Sequence, residues 1–235
     1  MSIEQFIEEL EKLEIILTEK QIKQLDQYYQ LLIEYNQYMN LTGITEKKEV
    51  YLKHFYDCIT LKKAVHLEKV ETLCDIGSGA GFPGLVLKIV FPNIHIVLID
   101  SLNKRVEFLK TVIQQLDLKG IEAIHIRAED YAQQNRSKFQ IVTSRAVAHL
   151  SMLSELSLPL VQKDGYFIPM KANIELDLHT LNSIVSKLNG KVEEIISFDL
   201  PIENSIRNLI KIKKIGETSL KYPRKFSDIK KKPLK

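Results

Sequence analysis

The segment that most restricts what this chain can fold into is residues 70–90, V-E-T-L-C-D-I-G-S-G-A-G-F-P-G-L-V-L-K-I-V. Leu73, Cys74 and Ile76 make a short apolar run of buried-strand type, and a glycine cluster stops it at once. A second apolar run, residues 85–90, has helical length and is cut off by Pro92. Strand, glycine turn and helix in succession turn main-chain N–H groups at a helix N-terminus toward a ligand. Lacking Cβ atoms, Gly77, Gly79 and Gly81 allow a sharp bend and a close approach of that ligand. Two spacings fit the glycines. Gly79-x-Gly81-x-x-Gly84 satisfies the dinucleotide pattern, whereas Asp75-x-Gly77-x-Gly79-x-Gly81 is an acidic loop of tighter register.

Ahead of this loop the chain reads as helix. Ile3, Phe6, Ile7 and Leu10 keep a 3.6-residue spacing, as do Ile22, Leu25, Tyr29, Leu32 and Met39. Thr18 with Gln21 is a capping box for the second helix. Residues 40–43 break the pattern, and Thr45 is placed to cap a further helix carrying Lys53, His54 and Phe55. Tyr28, Tyr29, Tyr35 and Tyr38 fall at helical spacing and read as core and helix face. Residues 1–67 are therefore expected to be a helical layer packed on the main domain.

After the loop, strands and helices alternate. Residues 94–100 form a strand ending in Asp100, which lies 19 residues beyond Gly81, where a ribose-binding carboxylate is expected in such folds. Ser101 is expected to cap a helix with Val106, Leu109, Val112, Ile113 and Leu116 on its apolar face. Residues 121–126 and 139–143 read as the third and fourth strands. A helix over 149–158, a turn at Asp164-Gly165, a fifth strand over 166–170 and a helix over 174–188 follow. Residues 192–198 and 206–213 are both strand-like and too close for a parallel crossover, so they should form an antiparallel hairpin. The expected fold is α/β, a Rossmann-like and mostly parallel sheet closed by that hairpin, over residues 68–215. Its alternation and acidic glycine loop match S-adenosylmethionine-dependent methyltransferases; dinucleotide dehydrogenases usually continue with parallel units.

Charge is unevenly distributed. The chain of 235 residues carries 33 basic and 30 acidic side chains. Eleven of the basic ones and only Glu217 and Asp228 of the acids lie in residues 205–235, so the body is acidic and the end strongly basic. A basic segment on an acidic body fits a polyanionic partner. Residues 216–235 read as a basic tail; residues 221–235 are expected to be extended, because Tyr222-Pro223 and Pro233 oppose a continuous helix, and removable without opening the core, because they follow the final strand. No apolar run has membrane-spanning length, and the N-terminal stretch is acidic and amphipathic, unlike a secretory signal. Two distant cysteines, Cys58 and Cys74, make no metal motif and suit a reducing cytoplasm. A cytoplasmic, monomeric protein without metal is expected.

The chemistry follows from what the strand ends carry. A methyl sulfonium donor needs a turn for its amino-acid end, a carboxylate for its ribose and polar groups around its adenine. Residues 77–81, Asp100 and Ala128-Glu129 supply these from three successive strand ends, which converge on one crevice in an open α/β sheet. After the fourth strand there is no Asn/Asp-Pro-Pro-aromatic segment to grip an exocyclic amine, and neither cysteine lies on a loop suited to attack a pyrimidine. That position holds Ser144-Arg145-Ala146-Val147-Ala148, whose fixed cation can hold a phosphate, a carboxylate or a guanine edge. A nucleophile with a free lone pair, such as guanine N7, needs no general base.

The motifs in order resemble the RsmG family, also called glucose-inhibited division protein B, over nearly the whole chain. They are Asn40-Leu41-Thr42, His54 with Asp57, residues 75–84, Arg127-Ala128-Glu129, residues 144–148, Pro169-Met170-Lys171, Arg207-Asn208-Leu209-Ile210 and Tyr222-Pro223-Arg224. The resemblance implies methylation of N7 of a guanine in 16S ribosomal RNA, with S-adenosylmethionine as methyl donor and the RNA or the small subunit as partner. It implies cofactor contacts from Gly77, Phe82, Ala128, Glu129 and Arg145, alongside Ser78, Gly79, Gly81 and Asp100 of the loop and second strand. It places Asn40, His54, Arg127, Arg145 and Arg207 on the RNA and catalytic side. The chain departs from the family pattern at Cys58 (usually serine), at Ala172 (usually glycine) and at residues 226–229, F-S-D-I, where a Gly/Pro-bearing segment is usual. Two other readings remain: a dinucleotide-dependent oxidoreductase, from the Gly79/Gly81/Gly84 fit, and an RNA-binding assembly factor without turnover, from the basic end.

Overall fold

Alternate residues of each central strand feed two different cores, which makes the molecule three layers deep. The computed structural model describes residues 1–145, 148–174, 176 and 178–235. Strands β1 (Thr72–Ile76), β2 (His95–Asp100), β3 (Ile121–His125), β4 (Phe139–Ser144), β5 (Val161–Lys171), β6 (Gly190–Asp199) and β7 (Ile206–Lys214) form one sheet. Its order is β3-β2-β1-β4-β5-β7-β6. The first five strands pair in parallel, and β7 pairs antiparallel with both β5 and β6. Leu73, Ile96, Leu98, Ile141 and Ile168 point into one core; Cys74, Ile76, Val97, Ile99, Val142 and Phe167 point into the other. This period of two, with both faces apolar, is why the strands read as unbroken hydrophobic runs.

The first core is covered by the N-terminal helices α1 (Ile3–Glu11) and α2 (Glu19–Met39). A continuous helical stretch follows, α3 (Lys47–Val50), a π-helical turn (Tyr51–Tyr56) and α4 (Asp57–Ile59). Helices α5 (Gly84–Val90) and α6 (Asn103–Gln115) complete this face. The second core is covered by α7 (Ala128–Gln134), α8 (Leu150–Ser157) and α9 (Leu178–Ser186). A short α10 (Phe226–Lys231) ends the chain. The Thr18/Gln21 capping box is present, and Ser2 with Gln5 makes a second one on α1. Among the described residues no helix is long and apolar enough to cross a membrane, and no cluster of ligating side chains is placed to hold a metal ion.

Several boundaries differ from expectation, each for a local reason. Glu46, not Thr45, caps α3, its carboxylate accepting from Glu49 N at 2.9 Å. Ser101 does not cap α6; Asp100 Oδ1 takes the Leu102 N–H at 2.9 Å instead. The expected turn at Asp164-Gly165 is an irregularity within the longer strand β5, where pairing jumps from Phe139↔Val161 to Ile141↔Tyr166. A Cβ at Gly165 would press on the Gln140 carbonyl, so this bulge depends on glycine. Helix α9 begins at Leu178, and Glu175 and Asp177 of the expected 174–188 helix lie outside the described residues.

The largest correction concerns the C-terminal end, which is neither extended nor detached. Tyr222 is buried in the second core and Ile229 is fully buried. Arg224 gives the carboxylate of fully buried Glu155 its main-chain N–H, Nε and Nη2, at 3.0, 2.8 and 2.6 Å. Arg136 donates to the carbonyls of Thr218, Ser219 and Tyr222. Burying a charge without its partner costs several kcal/mol, so the fully buried Glu155 requires Arg224. The cations misled the sequence reading, because Phe226 and Ile229 sit one helical turn apart within them.

Candidate active site

The C-terminal ends of β1 to β4 open into a cavity of about 940 Å³, a size suited to a nucleoside-type ligand. Thr42, His54, Gly77, Ser78, Gly79, Phe82, Asp100, Arg127, Ala128, Glu129 and Arg145 all line it. Gly81, Asn40 and Arg207 of the sequence-derived set do not. Gly81, at φ 101°, is buried against Leu85 and the Tyr28 hydroxyl, where a Cβ would collide with both. Asn40 is exposed in a left-handed conformation closing α2, and its neighbours Leu41 and Thr42 reach the cavity instead. Ala146 and Val147 lie outside the described residues.

The glycine loop spends its donors internally. Gly77 N and Ser78 N give to the Ile99 carbonyl at 2.9 and 3.1 Å, and Gly81 N and Phe82 N to the Ser78 carbonyl at 2.7 and 3.0 Å. Gly79 N donates to Asp100 Oδ2 at 3.0 Å, and Gly84 N to Asp75 Oδ2 at 2.9 Å. The sequence reading had main-chain N–H groups facing the ligand, and here the groups named are taken by the protein. A pyrophosphate would need them free, whereas a sulfonium nucleoside carries no phosphate to cradle. Gly84 is a packing glycine: a Cβ there would overlap Leu98 and Asp75. Full burial pushes the Asp75 carboxyl up to about 7, even though it accepts the Gly84 N–H.

Tyr28 was read as core, and it is fully buried between Phe55 and Phe82. Its hydroxyl also donates to the Ala80 carbonyl at 2.5 Å, tying the N-terminal layer to the glycine loop. Burial holds its phenol well above its usual range, so it is the neutral donor. Helical spacing shows such a residue as core, and nothing in that signal marks the polar tip.

The opposite wall is a network of side chains. Arg145 lies over the Phe82 ring at 4.8 Å, and His54 stacks on the same ring at 4.4 Å between centroids. Arg145 Nη1 donates to the Lys53 carbonyl at 3.0 Å and to Asp57 Oδ2 at 3.1 Å. Its Nη2 lies 3.1 Å from His54 Nδ1. The same Nδ1 lies 3.1 Å from the Lys53 carbonyl, and Nε2 lies 2.8 Å from Thr42 Oγ1, so each ring nitrogen has a partner in either tautomer. Burial, helped by the Arg145 charge, drives His54 down from 6.5 to about 3, so the ring is neutral and both nitrogens are engaged. The other Asp57 oxygen accepts from Arg207 Nε at 3.2 Å, which places Arg207 behind the wall. His54 is carried by the π-helical turn Tyr51–Tyr56, a distortion often found where a helix serves a site. Burial raises the nearby Cys58 thiol, which is no nucleophile.

On the remaining side, Ala128 and buried Glu129 stand at the start of α7, facing Met152, Leu153 and Leu156 of α8. Phe226, Lys230 and Pro233 complete this side of the cavity. The sequence reading gave the cations of this segment, Lys230 among them, to a polyanionic partner.

A parallel sheet with a terminal antiparallel hairpin, a glycine loop after β1 and a carboxylate ending β2 is the architecture of the Rossmann-like S-adenosylmethionine-dependent methyltransferases. Solved structures agree on the fold. The apo form of the S-adenosylmethionine-dependent methyltransferase SibL aligns over 68% of this chain and 55% of its own, with TM-score 0.53 and 10% identity. TYW2 of M. jannaschii, determined in complex with AdoMet, aligns over 66% and 76%, with TM-score 0.52 and 12% identity. Residues 21–210 match the GidB family, described as rRNA small subunit methyltransferase G. The chain is 49% identical over 237 residues to the Ribosomal RNA small subunit methyltransferase G of Bacillus licheniformis, covering 100% of this chain and 99% of the relative. The protein of that name in Listeria monocytogenes is 46% identical, with both chains covered in full. This chain belongs to the GidB family of small-subunit rRNA methyltransferases.

Proposed function

We propose that this chain transfers the methyl group of S-adenosylmethionine to N7 of a guanine in 16S ribosomal RNA of the small subunit. The observation that carries the choice of acceptor is the state of His54, neutral with both ring nitrogens committed, on the wall facing the glycine loop. A proton-bearing acceptor would call for a free base at this wall, and guanine N7 brings a lone pair with nothing to remove. When bound, the cofactor supplies an electrophilic methyl carbon on a sulfonium.

The residues hold and orient. Asp100 would accept the ribose hydroxyls, releasing Gly79 N–H as the loop adjusts, and Ala128 with Glu129 would meet the adenine. Phe82 separates the loop from the acceptor wall. Arg145, braced by Asp57 and Lys53, would hold the purine through O6, and Asp57 offsets part of its charge as positive charge passes to the purine ring. Asn40 and Arg127 would meet RNA around the mouth, and Arg207 would meet it from behind the Asp57 wall. The acting unit in this reading is a single chain in the cytoplasm.

The test is to map N7-methylguanine in 16S rRNA from cells with and without the protein. One guanine should lose its methyl group in the deletion and regain it on complementation; an unchanged map sinks the reading. Titration with S-adenosylhomocysteine and with a reduced nicotinamide cofactor decides the dinucleotide alternative, and only the first should bind.

A further inference from the structure

The basic C-terminal arm is expected from charge alone to serve RNA, yet its geometry turns it toward the cofactor. Three of its side chains, Phe226, Lys230 and Pro233, line the same cavity as the glycine loop, Asp100, Ala128 and Glu129. The Arg127 guanidinium lies over the Phe226 ring at 5.7 Å, and Arg127 immediately precedes Ala128. Phe226 therefore stands at the nucleoside end, beside the strand ends that carry the ribose and adenine groups. The arm is seated by the Arg224 contacts to Glu155, the buried Tyr222 and Ile229 and the Arg136 bonds to three carbonyls. Lys225, Lys231 and Lys232 flank it, while Phe226 faces the cavity.

We infer that residues 221–235 form a wall of the S-adenosylmethionine site, with Phe226, backed by Arg127, closing the nucleoside end over the adenine. The ring supplies an apolar face to a flat base, and the guanidinium on it limits its rotation. The inference rests on the cofactor reading proposed above.

The chain contains no tryptophan, so Phe226→Trp in the full-length protein introduces a single indole, excited selectively over the tyrosines. Its fluorescence should change on adding S-adenosylhomocysteine and equally on adding 5′-methylthioadenosine, which lacks the amino-acid end. In calorimetry, Phe226→Ala should weaken both ligands by about tenfold, the scale of base stacking on an aromatic ring, and Phe226→Leu by less. An emission unmoved by either ligand overturns the inference, and does so even if the alanine variant fails to fold. A loss confined to S-adenosylhomocysteine overturns the placement at the nucleoside end. Unchanged affinity for both ligands with weaker RNA binding would return the arm to the RNA. Should the wild-type chain itself bind no S-adenosylhomocysteine, the cofactor reading fails, separately from the role of Phe226.

Discussion

The two long walls of the cavity are built by different means. The glycine-loop wall is main chain, drawn from ten consecutive residues and closed on itself by hydrogen bonds to Ile99, Ser78 and Asp75. The facing wall is side chain, assembled from Thr42, His54, Asp57, Arg145 and, behind them, Arg207, each on a different segment of the chain or a different turn. The first depends on few side chains, Asp75, Asp100 and Tyr28, and is most vulnerable where a Cβ is added at Gly81 or Gly84. The second is a set of mutual dependencies in which one altered donor unsettles the rest. This division suits a shared cofactor on one side and a particular acceptor on the other.

The strongest test of that division is Arg145→Lys. A lysine keeps the charge but cannot reach Lys53, Asp57 and His54 together as a planar fork does. The single-turnover methylation rate should fall by at least about thirtyfold, the order expected when a charge-assisted contact of 2 kcal/mol or more is lost. An unchanged rate would mean that position and not geometry suffices at this wall. Next in size is Asp100→Asn, which should weaken S-adenosylmethionine about tenfold while leaving the rate at saturating cofactor near wild type. A lower rate with unchanged affinity would erase the distinction between the walls. Tyr28→Phe keeps the ring between Phe55 and Phe82 and deletes only the bond to Ala80. It should cost about 1 kcal/mol, read as a modestly lower melting temperature and a severalfold weaker cofactor affinity.

The smallest effect is one of pH. His54 is held neutral down to about 3 in the fold, whereas an unfolded chain protonates it near 6.5. Its burial therefore costs stability progressively as pH falls from 6.5 toward 3, because the unfolded state then binds the extra proton. His54→Gln should show a shallower acid-side loss in melting temperature than wild type over that window. Asp75 acts in the opposite sense, its raised carboxyl taking stability away as pH rises from 3.8 toward about 7. Comparison of the variant with wild type at each pH removes the Asp75 contribution. Parallel melting curves would mean that His54 is protonated in the fold, and the neutral acceptor wall would have to be redrawn.

How much of this was legible beforehand follows the same line. The glycine loop, the strand ending in Asp100 and the closing hairpin were readable because each is a local pattern in consecutive residues. The sheet interior was readable because two-sided burial leaves continuous apolar runs. The bridging role of Asp57 was not, since only tertiary structure sets Arg145 and Arg207 on its two oxygens. Resemblance named His54 and Arg145, but their contact with each other and their stacking on Phe82 needed coordinates. The arm was misread because its charge was counted and its buried apolar residues, Tyr222 and Ile229, were not. Gly81 looked like a ligand contact because a glycine that makes room for a ligand and one that makes room for Leu85 have the same letter.

The bond from Arg207 to Asp57 joins residues 150 positions apart. Strand β7, which carries Arg207, slots between β5 and β6 late in the chain, so synthesis has passed most of the sheet before that bond has a donor. A chain emerging N-terminus first can complete the glycine loop and its contacts with Tyr28 and Asp100 well before it can brace Arg145 from behind. Closing so long a loop is also among the slower steps for a sheet protein. The order of assembly is thus written into the topology: the glycine loop comes first, and both the brace behind Arg145 and the C-terminal arm that lines the cavity arrive only with the end of the chain.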